Sequence, residues 1–135
     1  MTTWKKPLPV VEAETAPYWT AARDKKLLLQ KCRDCDEYQY HYRGFCSNCW
    51  VGTIEDVESN GEGTVWSFTV IRRNRTPGFA EEVPYAVAMV ELEGGIKFIT
   101  NVINCNPDDV HIGMPVKLTW VAAADDINIP MFEPA

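Results

Sequence analysis

The sequence predicts a mainly β chain in two parts, a metal-organised ribbon behind one helix and a small closed barrel. Three observations carry this. Cys32-x-x-Cys35 and Cys46-x-x-Cys49 place four thiols in two knuckles, a complete tetrahedral ligand set that marks a structural rather than a catalytic metal site. From Gly61 onward apolar residues recur with a period of two, as strands with one buried face require. The strands so defined are short and separated by glycine-containing turns, the pattern of a small barrel.

Pro17 suits the first turn of a helix that the pattern carries from Pro17 towards Gln30, with Tyr18, Trp19 and Ala22 along one face. Leu27-Leu28-Leu29 fits better as the start of an extended segment leading into the first knuckle. The segment between the knuckles, Asp36 to Phe45, is shorter than is usual for this spacing and implies a tight, rubredoxin-like zinc ribbon. The same four-thiolate set also serves iron, so zinc is favoured and not decided by spacing. A division near Gly52 gives a helix-and-ribbon unit over 1–52 and a barrel over 53–135.

In Thr64 to Val70 the apolar residues Trp66, Phe68 and Val70 fall on one face, with Ser67 and Thr69 on the other. Tyr85 to Leu92 is almost continuously apolar, which predicts a strand covered on both faces. Glu93-Gly94-Gly95 reads as a turn into a strand over Ile96 to Ile103. Val116, Leu118 and Trp120 define the next strand, and Ile127 to Phe132 a last one, placed at an edge because of Pro130. Five such strands suggest a five-stranded OB-fold barrel.

A chain of 135 residues is long enough for one sizeable core. Its net charge of −6 argues against a nucleic-acid partner, which needs a basic face to displace counterions. No apolar run reaches the roughly 20 residues of a membrane span, so no membrane is expected. The first ten residues carry Lys5, Lys6, Pro7 and Pro9 and no apolar signal segment. A reducing, cytoplasmic setting with metal-bound thiolates is therefore expected over a pair of disulfides.

Cys105 and His111 lie outside the knuckles. A nucleophile needs a base and a lowered pKa, and Cys105 reads instead as a buried structural thiol. His41 is redundant beside four cysteines. Between the first two barrel strands runs a long loop, basic at Arg72, Arg73 and Arg75, apolar at Phe79 and turned at Pro77-Gly78. Lys25, Lys26 and Lys31 form a second basic group beside the ribbon.

Tyr18-Trp19 on the entry helix, Leu29-Gln30-Lys31-Cys32 and Tyr42-Arg43 have a familiar combination. So do Gly63 to Val70, Pro84-Tyr85, Cys105 to Val110, Ile112 to Val116 and Pro130-Met131-Phe132. Together they make the chain resemble, over nearly its whole length, the zinc-ribbon/OB-fold family known as domain of unknown function 35. It departs from that family at Asp36, where a glycine is common, at Ser47, where a proline is common, and in Tyr40-His41-Tyr42, where prolines are frequent. All four thiols are kept.

The resemblance implies a non-catalytic accessory subunit of an acyl-CoA enzyme of the thiolase superfamily (thiolase, acyltransferase or aldolase). The chain is then no enzyme alone, with catalysis in a thiolase-like large subunit. It implies Zn2+ at Cys32, Cys35, Cys46 and Cys49. Under it Arg72, Arg73, Arg75 and Phe79 become candidate acyl-CoA contacts, since guanidinium pairs well with the phosphates of coenzyme A. Tyr18 and Trp19 become candidate partner contacts. The alternative is a single-stranded nucleic-acid-binding ribbon/OB module, which the acidic balance disfavours.

Overall fold

The computed structural model describes residues 4–50 and 53–135; the expected division at Gly52 lies outside them. Helix α1 (Ala16–Arg23) begins with Pro17 in its first turn. It stops well short of Gln30 because Lys25 turns left-handed (φ 61). The Lys25 and Lys26 N–H groups then close the helix on Ala22 O and Ala21 O.

The leucine run is extended, as expected, and forms β1 (Leu28–Cys32). β1 is the centre of a three-stranded antiparallel sheet with β2 (Tyr38–Gln39) and β3 (Ile54–Glu58). β2 and β3 carry too little apolar alternation for periodicity to find them. β3 offers only Ile54 and Val57 among three acids.

The remaining strands are β4 (Glu62–Ile71), β5 (Tyr85–Glu91), β6 (Lys97–Val102), β7 (Pro115–Ala124) and β8 (Ile127–Pro134). They close in the order β4-β5-β6-β8-β7, and β7 returns to β4 through Gly63 and Val116. This is the five-stranded OB-fold barrel. Its core gathers Val65, Val90, Phe98, Val102, Val116 and Phe132, each worth roughly 1.5–3 kcal/mol when buried. The same cluster continues into Tyr18, Leu27 and Leu29, so helix, ribbon and barrel share one apolar interior.

Three sequence expectations need correction. Trp66 does not share the inner face with Phe68, because a bulge between Val65 and Ser67 inserts it as an extra residue and leaves it 52% exposed. β5 is not covered on both faces: Ala86, Ala88 and Val90 are buried, while Val87 and Met89 are only half-buried outside. β8 is not an edge strand. It pairs with β7 along its length and with β6 at Val102–Phe132. Pro130 lacks an N–H but its carbonyl accepts from Thr100 Oγ1, so the proline is accommodated.

Ribbon and barrel meet at a turn. Between β5 and β6 a single 3-10 turn, Glu93–Gly95, places Gly94 at φ 68 directly over Tyr38. A Cβ there would lie 2.7 Å from the Tyr38 Cβ and closer still to the ring. Glu93 reaches the other way, accepting from Ser59 Oγ and the Asn60 N–H at 2.8 Å each. Gly94→Ala is expected to cost about 1–3 kcal/mol through left-handed strain and collision with Tyr38. Urea denaturation should register it; an unchanged midpoint would contradict this packing.

Candidate metal centre

The two knuckles bring Cys32, Cys35, Cys46 and Cys49 together with all four sulfurs within 4.8 Å of one another. Cys32 and Cys49 Sγ are 3.7 Å apart, and Cys35 and Cys46 Sγ are 3.6 Å apart. Four sulfurs about 2.3 Å from a tetrahedral ion stand about 3.8 Å apart, so the set fits a metal of zinc size. Among the described residues these cysteines alone form such a group, and His41 stands outside it.

The backbone folds each knuckle around its sulfurs. Asp36 and Trp50, each following a second knuckle cysteine, have φ 60 and 66, the left-handed turn that glycine usually supplies. Amide hydrogens then point at sulfur: Asp34 N–H at Cys32 (3.4 Å), and Asn48 N–H (3.3 Å) and Cys49 N–H (3.4 Å) at Cys46. The Cys49 N–H is the largest influence on Cys46. With further help from Asn48 and the neighbouring thiols it outweighs burial and pulls the Cys46 pKa down to about 6. At this position the backbone favours the thiolate, the form that ligates a metal.

Two buried amides that sequence reasoning passed over hold the second knuckle against the first. Gln30 donates to Arg43 O (2.8 Å) and accepts from Arg43 N–H (3.1 Å). Gln39 donates to Gln30 Oε1 (2.8 Å) and to Phe45 O (3.0 Å), and accepts from the Ser47 N–H and hydroxyl. A glutamine on each of two paired strands thus takes over the hydrogen bonds of an irregular loop that no strand can pair with. The signal was available: Gln30 and Gln39 are polar residues at inward positions flanking the knuckles.

The expected partner residues separate. Tyr18 is only 8% exposed and packs internally, its hydroxyl hydrogen-bonded with that of Tyr40. Burial pushes both phenols above the usual range, so they act as neutral hydrogen-bonding groups. Trp19 is half-buried against Tyr18 at 5.1 Å, edge to face. Together with Tyr40, His41 and Tyr42 they line a cleft of about 210 Å3.

The candidate acyl-CoA residues lie elsewhere. Tyr40 touches Phe98, opposite Val90 on β5, whereas Arg72 follows Ile71, opposite Tyr85. Five residues of strand, about 17 Å, separate the two levels. Arg72 is bound to Asp108 in an ion pair; Arg73 and Arg75 are exposed. Phe79 is half-buried, against Tyr85 and beneath Lys6, whose ammonium pairs with Glu82 at 2.6 Å. Cys105 is half-buried rather than buried, and burial followed by Asp109 raises its pKa, the reverse of nucleophile activation. His111 Nδ1 is 3.0 Å from Asp109 O.

Residues 19–55 match the family model for the rubredoxin-like zinc ribbon domain of ChsH2, and residues 56–121 that for its C-terminal OB-fold domain. Over 130 residues the chain is 35% identical to a probable enoyl-CoA hydratase alpha subunit of Thermomonospora curvata, covering 96% of this chain but 40% of that protein. It is 33% identical to a DUF35 domain-containing scaffold protein of Methanothermobacter thermautotrophicus, covering 79% of this chain and 81% of that one. Among solved structures it superposes on the Ltp2-ChsH2(DUF35) aldolase with a TM-score of 0.82 and 34% identity, covering 94% of this chain and 98% of that one.

Gln39→Leu keeps the volume of the clamp but strips the partners from Phe45 O and Ser47 N–H. Denaturation should show a loss of about 2 kcal/mol or more. A loss below about 0.5 kcal/mol would mean that water replaces the amide without cost.

Proposed function

The chain belongs to the DUF35 family of zinc-ribbon and OB-fold proteins, and from that membership we propose that it is a non-catalytic partner subunit of an acyl-CoA enzyme of the thiolase superfamily. The observation that carries this is the near-complete match to the DUF35 chain of an aldolase. The chain spans only 40% of the length of the hydratase relative. The hydratase relative is named as a subunit of an enoyl-CoA enzyme and the DUF35 structural relative as part of an aldolase, which supports a partner of an acyl-CoA enzyme.

The chain's own chemistry supports a supporting role. Four cysteines complete a tetrahedral shell, leaving no position on the metal for a substrate. Cys105 has a raised pKa and is flanked by acid. In this reading Zn2+ is held by Cys32, Cys35, Cys46 and Cys49 and supplies folding energy to the ribbon. Arg73 and Arg75, exposed on the β4–β5 loop, take the phosphates of coenzyme A where the large subunit completes the site. Arg72 joins them only by leaving Asp108. No helix of the described residues is long and apolar enough to cross a membrane, and we place the complex in the cytoplasm.

The metal assignment predicts one zinc per chain by elemental analysis, lost in Cys46→Ser. Sites of this kind contribute roughly 10–16 kcal/mol, so the ribbon should unfold on chelation. Full metal content in the variant would contradict the ligand set.

The partner assignment predicts a stable complex on coexpression with the acyl-CoA enzyme encoded beside it. Turnover of acyl-CoA should then require both chains. Full turnover by the large subunit alone, unaltered by this chain, would overturn it. Charge reversal at Arg73 and Arg75 should raise the KM for acyl-CoA in the complex, with kcat kept; an unchanged KM returns the loop to a solvated surface.

A further inference from the structure

Residues 4–12 form no strand or helix, yet their first part is fixed where it crosses the β4–β5 loop. Gly78 of that loop has φ 91 and is buried. A Cβ on it would lie 2.7 Å from the Lys5 carbonyl oxygen and 3.0 Å from the Lys6 nitrogen, so the two backbones touch there. From this crossing the Lys6 side chain enters the loop and is only 9% exposed. Its ammonium donates to both Glu82 carboxylate oxygens, at 2.8 and 2.6 Å. It also lies 4.3 Å from the centre of the Trp4 ring and 5.5 Å from that of Phe79. Trp4 and Lys6 line a cavity of about 220 Å3 with Val121 and Met131, so the segment bridges the loop to β7 and β8.

A lysine withdrawn from water is costly unless its charge is met in good geometry. One carboxylate and two ring faces meet it here. Where Glu82 and Phe79 stand makes this more than local packing. The Asn74 side chain donates to the Tyr85 hydroxyl and accepts from the Thr76 N–H, both at 2.9 Å. Thr76 O accepts from the Phe79 and Ala80 N–H groups at 3.0 and 2.9 Å, and Phe79 O from the Glu82 N–H at 3.0 Å. The loop is one relay of local bonds, pinned at Tyr85, the first residue of β5, and at Lys6. Arg73 and Arg75 flank Asn74 in this relay. Both are exposed, and among the described residues neither forms an ion pair.

We infer that residues 4–6 are a strap that holds the β4–β5 loop in the shape in which Arg73 and Arg75 receive a phosphate-bearing ligand, with Lys6 as its positioning residue. This rests on the acyl-CoA reading above. Lys6 itself touches no ligand, since its ammonium is met by Glu82 and enclosed by two rings. Its effect is preorganisation. A loop ordered before binding loses less conformational freedom on binding, so affinity rises without a new contact. The strap therefore governs how tightly the complex holds acyl-CoA and leaves the chemical step to the large subunit.

Two measurements test this on Lys6→Met, which keeps the stem and removes the charge, and Lys6→Arg, which keeps the charge. Hydrogen exchange on the intact chain compares the Phe79, Ala80 and Glu82 amides with those of β4 to β8. Lys6→Met should speed exchange at the three loop amides about tenfold or more and leave the barrel unchanged, while Lys6→Arg keeps the loop slow. In the complex with the coexpressed enzyme subunit, Lys6→Met should raise the KM for acyl-CoA about threefold or more with kcat within about twofold, and Lys6→Arg should restore it. Loop amides that stay slow in Lys6→Met overturn the strap. So does acceleration spread over β4 to β8, which would make Lys6 a residue of global stability. A loosened loop with unchanged KM overturns the strap's role in binding, and the reading of Arg73 and Arg75 survives if their charge reversal still raises KM. If charge reversal also leaves KM unchanged, that reading falls and the inference with it. No complex with the wild-type chain overturns the partner reading and the inference together.

Discussion

Four sulfurs must converge on one point, and the first half of the molecule is arranged around that demand. The two knuckles, together spanning Cys32 to Cys49, are too short to bury a core of their own. They are positioned by backbone: left-handed residues after each knuckle, amide hydrogens aimed at sulfur, and β1 supplying Cys32 from a fully paired strand. The Gln30–Gln39 pair extends the constraint outward, fixing the backbone at Arg43, Phe45 and Ser47 so that the second pair of sulfurs faces the first. The N–H groups of Cys49 and Asn48 point at the Cys46 sulfur, and they hold its pKa below the usual thiol value.

The ribbon is joined to the barrel and does not swing free of it. Tyr38 lies on Gly94, Tyr40 on Phe98, and Leu27 and Leu29 enter the barrel's own apolar cluster. Glu93 ties the end of β3 to the β5–β6 turn through Ser59 and Asn60. The consequence is a rigid body with two distinct ends: an aromatic, ribbon-side end and the arginine loop at the other extreme of β5.

Much of this was legible in the sequence, for definite reasons. Metal spacing is a local code, so Cys32, Cys35, Cys46 and Cys49 converge as their spacing required. Period-two alternation located the barrel strands because each has one buried face. What was not legible depended on partners distant in sequence. β2 and β3 exist because β1 pairs with them, not through any alternation of their own. The outward turn of Trp66 follows from a bulge, and a bulge reverses the inside–outside pattern without marking the sequence. Tyr18, an apparent surface anchor, is internal because it joins the one apolar cluster to which the ribbon and the barrel both contribute, with Tyr42 packed beside its ring. Arg72 looked free for phosphate until the turn at Asp108 was folded against it.

The dependence of the ribbon on its metal is measured most directly by hydrogen exchange on the full chain before and after chelation. Because the barrel has its own core of Val65, Val90, Phe98, Val116 and Phe132, stripping the metal should abolish amide protection across β1, β2 and the second knuckle. Protection in β4 to β8 should largely survive. Retained protection at Gln30, Gln39 and Ser47 in the metal-free chain would contradict the account.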